Sequence, residues 1–274
     1  MNSLNALRNI TLFLIDIDGV VIKGRTPIPG ASQAVEALRG NGAVVVFVTN
    51  NASRSRTSLA QELGEIGIKV APEQTLTTAY LAARHLLTTD ARRVFMVGEL
   101  GLREELTKAG LTIVEGEAEA CDAVVVGIDR GFTYRKMALA NRFIRKGAKF
   151  IATNTDATLP TERGEDPGAG AIVASIATCT GRKSVIMGKP SPNLVRMALD
   201  MTGKRLRQTA VVGDRPETDM TMARRSGCLG ILLLTGVSTH TRREDYAIRQ
   251  RPNLIFASLQ ELAGSYGASR AKAV

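Results

Sequence analysis

Short, continuous runs of aliphatic and β-branched residues recur along this chain. Each is followed by a polar turn and then a segment with helical spacing, and this rhythm restricts the possible folds more than any other feature. The runs are TLFLID (11–16), AVVVFVTN (43–50), RVFMVG (93–98), AVVVGID (123–129), KFIATN (149–154), SVIMG (184–188), TAVVGD (209–214) and GILLLTG (230–236). Each has the length of a buried strand, and none alternates apolar with polar as a half-exposed strand does. Between them, GASQAVEALRGNG and SRTSLAQELGEIG place apolar residues near a 3.6-residue period and close on glycine, a common residue just past a helix end. Strand, helix, strand repeated in this way predicts an α/β protein with parallel sheets covered by helices on both faces. The middle of the chain, 80–183, carries strands and helices of its own. It reads as a domain inserted into a first one made of 1–79 and 184–274.

Composition narrows the class of partner. Aromatic residues are only 4% of the chain, so the core is aliphatic. Much of the net charge of +10 sits in scattered pairs such as Arg92-Arg93 and Arg242-Arg243. No aromatic side chains interleave with them as a nucleic-acid surface requires, so a basic exterior that attracts small anions is expected instead of nucleic acid. No apolar run reaches the roughly 20 residues that cross a bilayer, and the opening MNSLNALRNI is too polar for a secretory signal. A cytoplasmic protein without membrane contact is expected. Cys121, Cys179 and Cys228 are odd in number and form no C-x-x-C pair, which favours reduced thiols.

Charged and polar residues gather where several of the runs end. LFLIDIDGVV (12–21) closes a buried run with Asp16 and Asp18. Residues two apart in an extended chain point to the same side, and two carboxylates so close repel unless a cation lies between them. VVGDRPETDM (211–220) ends another run at Asp214, with Asp219 further on. Asp16, Asp214 and the Asp18 backbone carbonyl make a hard oxygen set of the kind Mg²⁺ takes. FVTNN (47–51) ends a third run with Thr49 and Asn50, whose hydroxyl and backbone N–H can hold phosphate oxygens. MGKPSP (187–192) sets Lys189 between a glycine and a proline. GAVVVFVTN (42–50) and GAKFIATN (147–154) also echo one another, as two strands that end in the same turn.

In this order, D-x-D, T-N, K-P and G-D-x-x-x-x-D, the chain resembles the haloacid dehalogenase-like hydrolase superfamily. TNNASRSR (49–56), VVVGIDRGFTYRKM (124–137), TNTDATLPTERGEDPGAGAI (153–172) and GRKSVIMGKPSP (181–192) are similar to its NagD-like, p-nitrophenyl phosphatase branch. The resemblance runs from about residue 10 to 260. It implies a Rossmann-like, doubly wound core with a large α/β cap inserted between the T-N and K-P motifs. TNTD departs from the branch's usual Thr-Asn-Pro-Asp, with Thr155 in place of proline.

The resemblance also implies the chemistry: a Mg²⁺-dependent phosphatase that hydrolyses small phosphate monoesters. Asp16 is the expected nucleophile, giving an aspartyl-phosphate. Asp18 is the expected acid and base, and Asp214 the metal ligand beside Asp16 and Asp18. Thr49, the Asn50 backbone and Lys189 hold the phosphoryl oxygens, and Asp219 orients Lys189 or the metal's waters. Asn154 and Asp156, at a strand end in the cap, are expected to touch substrate. Asp18 argues against dehalogenation, which needs neither acid nor metal. A phosphotransferase is the second enzymatic reading, disfavoured because 19–30 leaves no room for the small helical cap of the mutases. A phosphoryl-binding regulatory protein is the third, disfavoured because Asp16, Asp18 and Lys189 are all present. The expected assembly is a homodimer through the cap.

Overall fold

A computed structural model describes residues 3–24, 26–117, 120–161, 164–238 and 240–271. Glu162 and Arg163, within the stretch 153–172 singled out above, lie outside them. The chain divides into two compact units. One comprises Met1–Thr49, Ala60–Thr75 and Lys189–Val274, and the other Asn50–Leu59 and Leu76–Gly188. The helix Arg56–Glu65 runs across one of these divisions.

The first unit is built on a six-stranded sheet. Its order is Leu254–Phe256, Leu229–Leu233, Thr209–Gly213, Leu12–Asp16, Val44–Thr49 and, at the edge where the unit ends, Thr75–Thr77. Leu12–Asp16 pairs in parallel with both Thr209–Gly213 and Val44–Thr49. The chain therefore leaves this central strand toward one edge and later returns to build the other. Such a reversal opens a crevice beyond the carboxyl ends of the strands, where open α/β sheets bind ligands. Leu12, Phe13, Leu14 and Ile15 are fully buried, and each contributes roughly 1.5–3 kcal/mol through that burial. This explains the uninterrupted LFLI: a central strand has no wet face. Helices Ala31–Gly40 and Leu259–Ala271 pack on one another. Tyr266 reaches from the second helix to Phe13 edge to face, at 5.0 Å between ring centroids, and donates its hydroxyl to the Ile10 carbonyl.

The second unit has its own parallel sheet, ordered Val185–Ile186, Lys149–Ala152, Ala123–Val126, Arg93–Val97, Thr112–Val114. The run 184–188 thus pairs in this second sheet, beside Lys149–Ala152, and the first unit resumes only at Lys189. Phe95, Phe143, Phe150 and Ile176 lie in the core between this sheet and its helices. Three-residue strands, Thr112–Val114 among them, and a hairpin of Thr158–Thr161 with Gly164–Pro167 were not anticipated from sequence. All three cysteines are free thiols. No helix among the described residues is long and apolar enough to cross a membrane.

Candidate active site

The first unit gathers Asp16, Lys189, Asp214 and Asp219 at the carboxyl ends of its central strands. Asp16 is the last residue of Leu12–Asp16, and Asp214 follows Thr209–Gly213 directly. Asp219 sits in a single π turn, Pro216–Met220, a local widening of helical geometry often found at functional sites. Lys189 begins the third segment of the unit. All four are buried, and Asp219 has no solvent exposure at all.

Lys189 Nζ lies between two carboxylates, 2.7 Å from Asp16 Oδ2 and 2.8 Å from Asp219 Oδ1. Asp16 Oδ1 accepts from the Ile17 N–H at 2.8 Å. Asp219 Oδ2 accepts from the Arg215 N–H at 3.3 Å and the Thr218 hydroxyl at 3.4 Å. Asp219 thus fixes the ammonium that faces Asp16. A buried ammonium with two such partners keeps its proton: burial works against the charge, and Asp16 and Asp219 outweigh it, so the pKa of Lys189 rises.

Carboxylate oxygens of Asp16, Asp214 and Asp219 come within 4.8 Å of one another. Burial is the largest influence on Asp16 and pushes its pKa well up; Lys189 opposes it, while Asp219, Asp214 and Asp18 add to it. Burial, reinforced by Asp219, pushes Asp214 up to about 6. Asp214 Oδ2 accepts from the Val237 N–H at 3.0 Å, but Asp214 Oδ1 is buried with no hydrogen-bond partner. A buried carboxylate oxygen without a partner is costly. A hard divalent cation removes that cost and the mutual repulsion together, because it favours the ionised form of each acid. The donor set is all oxygen, as Mg²⁺ requires, so these residues fit that ion.

The local chain is shaped around Asp214. Gly19 has φ +82°, and any Cβ there would overlap the Asp214 carboxylate. Gly236 crowds the same group from another loop. That loop also brings the Ser238 hydroxyl to the Asp214 carbonyl at 2.6 Å and the Thr235 hydroxyl to the Gly19 carbonyl at 2.6 Å. Sequence reasoning missed these residues. The available signal was the polar TGVS that follows the apolar run GILLL.

The other expected residues fall in two places. Asp18 is exposed, just past Asp16, and its carboxylate is not one of the clustered three. Thr49 is buried at the end of Val44–Thr49, in the first unit. Asn50, Asn154 and Asp156 come together in the second unit. Asn50 Nδ2 donates to Asp156 Oδ2 at 3.0 Å, and Asn154 Nδ2 donates to the Asn50 carbonyl at 2.7 Å.

A haloacid dehalogenase-like hydrolase family model matches residues 13–112, and a HAD-hydrolase-like model matches residues 186–262. The chain is 36% identical over 255 residues to an acid sugar phosphatase of Staphylococcus haemolyticus, covering 92% of this chain and 95% of that one. Among solved structures, the 4-nitrophenylphosphatase of Thermotoga maritima superposes with a TM-score of 0.87 at 32% identity, covering 94% of this chain and 98% of the other. A glycerol phosphate phosphatase of Mycobacterium tuberculosis, in complex with magnesium, does so with a TM-score of 0.86 at 37% identity, covering 94% and 77%.

Proposed function

The chain belongs to the haloacid dehalogenase-like hydrolase family, and from that premise we propose that it is a phosphatase that uses Mg²⁺ and an aspartyl-phosphate on Asp16 to hydrolyse small phosphate monoesters. Its relatives are phosphatases across nearly the full length of this chain. The observation that carries the finer reading is the buried Lys189 held between Asp16 and Asp219, beside an Asp214 oxygen with no partner.

A phosphate dianion approaching a carboxylate is repelled, so catalysis depends on positioning and on neutralising charge. Lys189 faces Asp16 Oδ2, where its ammonium offsets that repulsion. Ile17 N–H on Asp16 Oδ1 fixes the carboxylate plane and leaves Oδ2 as the attacking atom. When bound by Asp16, Asp214 and the Asp18 carbonyl, Mg²⁺ supplies further positive charge to the phosphoryl oxygens. The Asp16 Oδ2–phosphorus bond forms as the bond to the leaving alkoxide breaks, and Asp18 donates the proton that the alkoxide takes. Asp18 is exposed, as a group that exchanges protons with substrate and then with water requires. It next deprotonates the water that attacks phosphorus and frees Asp16. Thr49 Oγ1 and the Asn50 N–H hold non-bridging oxygens, and Asp219 keeps Lys189 in place.

We read the first unit as the hydrolase core and the second as the cap. Residues 50–59 join the T-N motif to the rest of the second unit. The substrate class is a small phosphorylated metabolite; sugar phosphates and glycerol phosphate head the set to try, since relatives are named for them. A cytoplasmic setting suits three free thiols, and resemblance to the branch supports a homodimer through the cap. The test is phosphate release from p-nitrophenyl phosphate. Turnover is expected with Mg²⁺, absent with excess chelator, and absent in Asp16→Asn. Normal turnover by Asp16→Asn would overturn the assignment of the nucleophile.

A further inference from the structure

Three neighbouring strands of the first unit, Leu12–Asp16, Thr209–Gly213 and Leu229–Leu233, run in parallel in adjacent places of the sheet. The loop 235–238 follows the third of them and touches the chain beyond the ends of the other two. Ser238 Oγ donates to the Asp214 carbonyl at 2.6 Å, and the Val237 N–H donates to Asp214 Oδ2 at 3.0 Å. Consecutive residues thus hold Asp214 at its main chain and at one carboxylate oxygen, and Oδ1 is the oxygen left without a partner. Gly236 lies so close that a Cβ there would overlap Oδ2. Thr235 Oγ1 reaches the turn after the first strand, two places away in the sheet, and donates to the Gly19 carbonyl at 2.6 Å.

The Gly19 N–H donates to the Ile22 carbonyl at 2.7 Å, so Gly19 is held at both of its backbone groups. The Asp18–Gly19 peptide is trans and planar, and the Asp18 carbonyl therefore points opposite to that N–H. One loop of four residues grips both the Asp214 carboxylate and the turn that aims the Asp18 carbonyl, two of the ligands proposed above for Mg²⁺. Both hydroxyl protons are committed to backbone carbonyls, so Thr235 and Ser238 act on the site through Gly19 and Asp214. Ser238 is buried, which keeps water from competing for its bond. Mg²⁺ demands a near-ideal octahedron with ligands at about 2.0–2.1 Å, whereas Ca²⁺ accepts irregular shells at about 2.3–2.6 Å. A donor set held at a fixed spacing tells these ions apart, and one free to spread loses the smaller ion first.

We propose that Thr235 and Ser238 are positioning residues for the metal site, whose hydroxyls hold the Asp18 turn and Asp214 at the spacing that favours Mg²⁺ over Ca²⁺. The inference rests on the phosphatase reading above for the identity of the metal ligands. A loop that served the fold alone would change stability when altered and leave metal affinity as it was. A loop that sets the donor spacing changes the affinity, and changes it unequally for the two ions.

The experiment titrates the metal-free protein with magnesium chloride and, separately, with calcium chloride in a calorimeter. Melting temperature without metal and turnover of p-nitrophenyl phosphate with Mg²⁺ are measured on the same samples. The wild type is compared with Ser238→Ala and Thr235→Val, which each remove one hydroxyl, and with Ser238→Thr and Thr235→Ser, which keep it. Removing a group that orients a metal ligand weakens binding by about 10–100-fold. The expected result for Ser238→Ala is a loss of that size for Mg²⁺ and a severalfold smaller one for Ca²⁺, with Ser238→Thr close to wild type. Thr235→Val is expected to show the same pattern, restored by Thr235→Ser, and it serves if Ser238→Ala does not fold. Unchanged Mg²⁺ affinity in both variants, whatever their melting temperatures, would overturn the proposal. So would equal losses for the two ions, or conservative variants that bind Mg²⁺ no better than Ser238→Ala and Thr235→Val. A wild type that binds no Mg²⁺ would overturn the metal assignment and this inference with it. A wild type that binds Mg²⁺, with the expected pattern among the variants, but releases no phosphate would overturn the phosphatase reading and uphold the role of the loop.

Discussion

Asp214 holds a proton more tightly in the folded chain than in the unfolded one, because burial and the neighbouring Asp219 both oppose its charge. A carboxyl whose pKa rises from 3.8 to about 6 on folding favours the folded state below pH 4, and that contribution disappears as pH passes through about 6. In the metal-free protein, Asp214→Asn is therefore expected to raise the melting temperature relative to wild type at pH 7.5. The gain in stability is on the order of 3 kcal/mol, and it is expected to vanish at pH 4. The same variant should lose the rise in melting temperature that Mg²⁺ produces in wild type, which itself grows from pH 5 to pH 7.5 as the proton leaves. Thermal melts at three pH values, with and without Mg²⁺, check both. Lys189 behaves oppositely. Its charge is buried between two carboxylates, and removing one member of such a group costs about 3–5 kcal/mol. Lys189→Met, which leaves the acids unopposed, is expected to destabilise the metal-free protein by that amount in a denaturant titration, and to abolish turnover.

Gly19 shows how an element, and not a side chain, shapes the site. The strand Leu12–Asp16 must stop and turn away at once, and φ of +82° beside the Asp214 carboxylate allows only glycine. Gly19→Ala is expected to weaken Mg²⁺-dependent turnover about 100-fold, since its Cβ would displace the Asp214 carboxylate, the proposed metal ligand; kinetics across Mg²⁺ concentrations read the change. At this scale the sequence was informative wherever a run was long and fully apolar. All eight runs contain strands, and Asp16, Thr49, Lys189 and Asp214, which lie at or just after the ends of four of them, belong to one unit. The strands missed are Thr75–Thr77, Thr112–Val114 and Leu254–Phe256, too short to show a period, and the paired strands Thr158–Thr161 and Gly164–Pro167, the second exposed throughout and without an apolar run. Nor could pattern alone say which sheet receives the run 184–188, because any parallel edge suits Val185 and Ile186. The loop after Leu233 escaped notice for a different reason. Val237 and Ser238 serve Asp214 mainly through backbone and hydroxyl groups, and a backbone N–H is the same in every residue but proline.

The molecule as a whole joins two parallel-sheet units through short chain crossings at 49–50, 59–60, 75–76 and 188–189. Two of these crossings fall at proposed site residues: Thr49 is followed by Asn50, and Gly188 precedes Lys189. The linear order of motifs was legible because each lies at a strand end. The partnership of Asn50 with Asn154 was not, since it depends on two turns far apart in sequence meeting in three dimensions. At this scale the expected behaviour is a metal-dependent enzyme: dialysis against chelator should remove activity toward every ester, and Mg²⁺ should restore it. The central claim is that the phosphoryl group passes through Asp16. The most direct measurement is to quench the wild type during turnover with Mg²⁺ and substrate, reduce the acyl phosphate with borohydride, and map the modified residue by peptide mass spectrometry. Homoserine at position 16, absent without substrate, is the result predicted. Sustained turnover with position 16 unmodified, or with the modification at another carboxylate, would contradict it.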